Sequence, residues 1–156
     1  MQDGALDKIL DGLPTKTYRA GETILTAGSK TGQLMILQSG AVAVFKGSIE
    51  IAKVRDPGAI LGELSALLDG PHTADVKAIE NSQFRVADGA LLGKNPVLVL
   101  HVAKILAQRL VAVDDGFVEL KKQLQAGQPP GILARTLEKI EKTLTALDPQ
   151  LVIPGA

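Results

Sequence analysis

Residues 59–76, AILGELSALLDGPHTADV, hold the side chains of this sequence best suited to gripping an anion. Gly62 lets the backbone approach a ligand closely. Glu63, Leu64 and Ser65 open a stretch of helical composition, so their N–H groups lack intrahelical acceptors and the helix dipole favours negative charge beside them. A phosphate suits that turn. Glu63 repels a bare phosphate, but its carboxylate accepts a hydrogen bond from a hydroxyl elsewhere on an ester. The pair therefore fits a sugar phosphate or a nucleotide. Pro71-His72-Thr73-Ala74 follows, offering a potential cation, a hydroxyl and a small residue whose N–H can also face the ligand. By composition alone this signal is weak, and an ordinary helix start with a solvated Glu63 is the better reading at this point.

Other chemistry is sparse. The 156 residues contain no Cys and two well-separated His, His72 and His101, which removes the usual zinc sets, thiol nucleophiles and redox pairs. Neither a GxSxG elbow nor a Walker loop occurs, so no catalytic residue, metal ligand or cofactor is assigned and an enzyme is not expected. Seventeen basic and seventeen acidic residues give a formal charge of zero, and aromatic residues make up 3% of the chain. Bulk attraction to nucleic acid or anionic lipid, and stacking on bases, are both disfavoured.

The segment MQDGALDKIL carries Asp3 where a secretory signal is basic. The most apolar stretch, 96–113, is interrupted by His101, Lys104, Gln108 and Arg109 and falls short of the roughly 20 apolar residues of a spanning helix. A cytoplasmic protein without a membrane segment is the expectation.

These residues need a frame. Leu6, Ile9, Leu10 and Leu13 have helical spacing and stop at Pro14, which predicts a short amphipathic helix over 5–13. From Tyr18 to Asp88 the texture changes to short apolar runs, at 24–25, 34–37, 42–45 and 49–54, each followed by a Gly-containing turn. Strands in a small barrel or sandwich follow from that pattern. GELSALL, 62–68, interrupts it with helical composition. Beyond Asp88 one long helix is predicted over 97–124, with an apolar row at Val99, Val102, Leu106, Leu110, Val113, Phe117, Leu120 and Leu124 that repeats close to a heptad. Such a row packs on the domain, pairs with a second helix, or does each with one half. QAGQPPG, 125–131, reads as a linker, and Leu133, Leu137, Ile140, Leu144 and Leu147 mark a last amphipathic helix.

The order GE-L-S-A-L-(x)3-P-x-T-A-x-V resembles the phosphate-binding cassette of the cyclic nucleotide-binding domain family. The chain around it agrees. YRAGETI, 18–24, resembles the approach to the family's first strand, LMILQSGAVAV, 34–44, its strand, glycine turn and strand, and 54–62 its lead into the cassette. The resemblance runs from about Leu6 to Leu124. It implies an α+β fold, an eight-stranded antiparallel β roll of jelly-roll type with an inserted phosphate-binding helix and flanking N- and C-terminal helices.

Carried over by position, Gly62 and the N–H groups of Leu64 and Ser65 face the sugar phosphate, Glu63 accepts from the ribose 2′-hydroxyl, and Ala74 donates its N–H to phosphate. Thr73 is placed to meet a guanine amino group, although the family has a hydroxyl there in cAMP binders too. His72 stands where the family usually has Arg. Losing that charge-assisted bond removes about 1.5 to 3 kcal/mol, roughly ten- to over a hundredfold in affinity. An imidazole held protonated by the phosphate donates in its place, with binding that strengthens at lower pH. The opposing reading makes His72 a solvated loop residue in a cassette that has lost its ligand. Arg109, Val113 and Phe117 are candidates for a lid over the base.

Two parts are therefore expected: a cyclic nucleotide-binding domain over 1–125, and a linker with a short helical appendage over 126–156. The expected function is that of a stand-alone regulatory protein that binds cAMP or cGMP through residues 62–76 and signals by moving its C-terminal helices. Its partners are a second copy, through the 97–124 helix, or another protein; DNA is not expected, because one amphipathic helix after the long one makes no helix-turn-helix. The alternative is a degenerate fold that serves dimerisation or protein interaction without a ligand.

Overall fold

The computed structural model describes residues 3–127 and 131. Its elements run α1 (Asp3–Asp11), β1 (Thr15–Tyr18), β2 (Thr23–Leu25), β3 (Gln33–Ser39), β4 (Val42–Lys46), β5 (Ile49–Val54), β6 (Ile60–Leu61), α2 (Glu63–Leu68), β7 (Asp75–Ala78), β8 (Ser82–Asp88), α3 (Gly89–Lys94) and α4 (Pro96–Gln125). The eight strands form two four-stranded sheets, ordered β1-β8-β3-β6 and β2-β7-β4-β5. Every pairing is antiparallel. The expected α+β roll is the fold observed, with α2 inserted between β6 and β7.

The unbroken apolar run of β3 reflects burial on both faces. Met35 and Leu37 point into a cluster with Leu25, Val42, Leu61, Val76, Phe84 and Val86, contributed by both sheets. Leu34 and Ile36 alternate to the other side and join Leu13, Ile60, Ala87, Leu92, Leu98 and Val102, where the helices cover the first sheet. In the second sheet the edge strand β5 is exposed along nearly all its length. A bulge opposite Val44–Phe45 breaks the register of that edge, which discourages pairing with another strand. Between β3 and β4 the chain turns through Gly40 at φ 93°, where a Cβ would lie 2.4 Å from the Asn81 carbonyl oxygen; only glycine fits.

Residues up to Ala107 form one compact unit, and a second begins at Gln108, within α4. In the first unit α4 buries Leu98 and Val102 and packs Ile105 and Leu106 against the same cluster. The row expected from the sequence began at Val99, which is exposed. An α-helix turns by 3.6 residues, so a face that contains Val102 also contains Leu98, one turn earlier. In the second unit Leu110, Val113 and Leu120 are exposed. By length and composition α4 is apolar enough to cross a membrane, although Leu98 and Val102 are committed to the protein core. The sequence reading did not anticipate α3, a six-residue helix capped by the Asp88 carboxylate, which accepts from the Leu91 N–H at 2.7 Å. The expected appendage helix lies outside the described residues.

Candidate functional site

Gly62 caps α2 in the left-handed conformation, φ 80° and ψ 7°. A Cβ there would lie 2.6 Å from the Gln33 carbonyl oxygen, 3.2 Å from Leu25 Cδ1 and 3.3 Å from His72 Cε1. Close approach and positive φ therefore both demand glycine. The six-residue α2 alternates what it hides and what it shows: Glu63 and Ser65 are buried, while Leu64, Leu67 and Leu68 are exposed. Glu63 is 7% exposed, so the solvated carboxylate of the bland reading is not what the fold makes of it.

The Ser65 hydroxyl donates to the Gly70 carbonyl at 2.6 Å and closes the helix onto its own exit. Asp69, at φ 50°, ends the helix in the left-handed region. Its carboxylate pairs with Lys30 at 2.8 Å.

His72 is 4% exposed and is no solvated loop residue. Its N–H donates to the Ser29 carbonyl at 2.8 Å, and its carbonyl accepts from the Gly28 N–H at 2.9 Å. The ring Nε2 lies 2.7 Å from the Thr31 hydroxyl, which also accepts from the Gln33 N–H at 3.2 Å. Burial lowers the imidazole pKa below its ordinary value, and the Glu63 charge opposes this by raising it. The unliganded site therefore favours the neutral ring.

Downstream, Thr73 is exposed, Ala74 is half-buried, and the Asp75 carboxylate accepts from the Ala27 N–H at 2.7 Å. Segment 27–31 is thus zipped to segment 69–75 by backbone bonds, an ion pair and a histidine contact. The sequence reading missed Gly28, Ser29, Lys30 and Thr31, which lie some forty positions from the cassette. Gly28 and Ser29 are legible as the turn after 24–25, but no motif ties the four to residues 62–76.

The fold sets His72 against Gly62 and within reach of the Glu63 charge; Leu64 and Ser65 follow in α2, and Thr73 and Ala74 lie on the approach to β7. Arg85 belongs elsewhere. Its guanidinium donates to the Leu13 carbonyl at 3.1 Å and the Thr15 hydroxyl at 3.2 Å, fastening the end of α1 to β1 and β8. Lys77 lies 5.7 Å over the Phe45 ring on the outer sheet face. Arg109, Val113 and Phe117 belong to the second unit. Among the described residues no group of three or more His, Cys, Asp or Glu could hold a metal ion.

Comparison with known proteins bears on this arrangement. A family model described as the cyclic nucleotide-binding domain matches residues 15–93. A cAMP-dependent protein kinase regulatory subunit from Candida albicans is 31% identical over 81 residues, 52% of this chain and 18% of that protein. Glutaminase 2 from Bradyrhizobium diazoefficiens is 34% identical over 109 residues, 64% of this chain and 17% of that protein. Among solved structures, the catabolite activator protein of Thermus thermophilus superposes with a TM-score of 0.64 at 27% identity, covering 76% of this chain and 59% of that one. The chain thus spans less than a fifth of the first two proteins and about three fifths of the third.

Proposed function

Because this chain belongs to the cyclic nucleotide-binding domain family, we propose that it is a regulatory protein that binds cAMP or cGMP through residues 62–76. The observation that carries this reading is the convergence of a left-handed glycine, a buried Glu63 and a buried His72 on one short helix start. A carboxylate and an imidazole hidden together, beside a helix N-terminus, suit a ligand that offers both a hydroxyl and a phosphate. Glu63 accepts from the ribose 2′-hydroxyl. The N–H groups of Leu64, Ser65 and Ala74 and the His72 ring serve the phosphate, and Thr73 meets the base.

Signal leaves through α4, whose exposed apolar residues beyond Ala107 supply the seam for a second copy of the chain or another protein. The reading assigns no catalysis and no metal. It places the protein in the cytoplasm, where a chain without Cys loses nothing to a reducing environment. In this reading the output passes through whichever partner α4 meets, the second copy or the other protein.

A ligand-free scaffold is the second reading. One observation favours it: the ring of His72, which stands where the family resemblance places Arg, is already bonded to Thr31. Calorimetric titration with cAMP and cGMP at pH 6 and pH 8 separates the two. Micromolar binding supports the sensor. No heat and no thermal shift at millimolar ligand replace it with the scaffold.

A further inference from the structure

Thr31 sits on the loop between β2 and β3, forty-one residues before His72. Its hydroxyl has one proton and two lone pairs. The Gln33 N–H engages one lone pair, and the proton has an acceptor 2.7 Å away in His72 Nε2. Donation in that direction satisfies the hydroxyl and the ring nitrogen together. The opposite direction makes the oxygen accept twice and leaves its proton to solvent.

The ring is framed by the backbone bonds of His72 to Gly28 and Ser29 and by Gly62, where a Cβ would lie 3.3 Å from the ring Cε1. Lys30 and Asp69, the charges flanking it on the loop and on the end of α2, neutralise one another in an exposed pair. Glu63 is the charge that acts on the ring.

We propose that Thr31 is a positioning residue of the ligand site: it donates to His72 Nε2 and so holds the imidazole as the neutral tautomer with its proton on Nδ1. The site then presents a neutral donor in the place where the family resemblance puts a guanidinium. This role in ligand binding rests on the proposed function, whereas the tautomer is a property of the protein alone.

Long-range proton–nitrogen NMR spectra of the 15N-labelled, ligand-free chain test the inference directly. His72 is expected to show the Nδ1–H pattern above its pKa, with His101 as the internal reference. Thr31→Val removes the bond donated to the neutral ring, so the His72 midpoint rises and the tautomers mix; Thr31→Ser keeps both as in the parent. An Nε2–H pattern in the unsubstituted protein overturns the proposal, and this result needs no variant to fold. So does a T31V spectrum identical to the parent's.

With cAMP as the probe, T31V is expected to bind roughly two- to tenfold more weakly, the range a single neutral hydrogen bond allows, and T31S close to the parent. Equal affinity of T31V and parent overturns the positioning role. Absence of both cAMP and cGMP binding by the parent instead removes the proposed function and leaves the spectra to decide the tautomer; a parent that binds cGMP alone moves the T31V comparison to cGMP.

Discussion

The two buried polar side chains of the cassette, Glu63 and His72, invite opposite tests. Glu63→Gln keeps the shape and removes the charge, and it is expected to weaken cyclic nucleotide binding by roughly ten- to over a hundredfold, read by calorimetry. His72→Arg is expected to strengthen it, by restoring a charge-assisted bond to phosphate. The larger side chain must also fit beside Gly62 and Thr31, so the same variant is expected to melt at a lower temperature without ligand.

Protons tell a related story. Burial lowers the His72 pKa in the fold below its unfolded value near 6.5, and the Glu63 charge offsets only part of this. A histidine shifted in that direction contributes stability above the unfolded pKa and loses it as pH falls through the folded one. The melting temperature of the unliganded protein is therefore expected to fall between pH 7 and pH 5, and less so in His72→Gln. Ligand affinity moves the other way. A phosphate raises the His72 pKa, so binding strengthens as pH drops through the interval between the free and bound values. The neutral ring of the free site displaces that interval to lower pH than an unburied imidazole would have.

Elements are where periodicity and packing part company. The strands at 33–39 and 42–46 are legible because their apolar runs end in glycine turns, and the turn at Gly40 is one that no other residue fits. Strand β1, reading TKTY, is not legible, since its residues are polar and it exists by pairing with β8 through Thr15–Arg85 to Tyr18–Ser82. The long helix is legible in length, and in phase at Val102 and Leu106, but not in its first turn. Leu98 is wholly buried and Val99 is 37% exposed. Leu98→Ala is expected to cost about 2 to 5 kcal/mol in urea denaturation, whereas Val99→Ala should stay within about 0.5 kcal/mol of the parent. Equal losses would restore the phase read from the heptad.

At the scale of the whole molecule, the exposed apolar residues of α4 beyond Ala107 carry the proposed seam. Sedimentation equilibrium is expected to give twice the chain mass. A Leu110→Glu, Val113→Glu double variant is expected to return the monomer mass while its melting transition is kept. A monomeric parent would move the output of the domain to another protein partner. What the sequence by itself determined is the fold family and the glycine that opens α2, because Gly62 is a local demand of backbone conformation and the residues of the proposed cassette are written at fixed spacing along the chain. Only the tertiary structure decided that Glu63 and His72 are buried, and that His72 leans on Thr31, Ser29 and Gly28. Those contacts join residues some forty positions apart, and such proximity comes from the strand pairing that brings β2 beside β7, which no local pattern records.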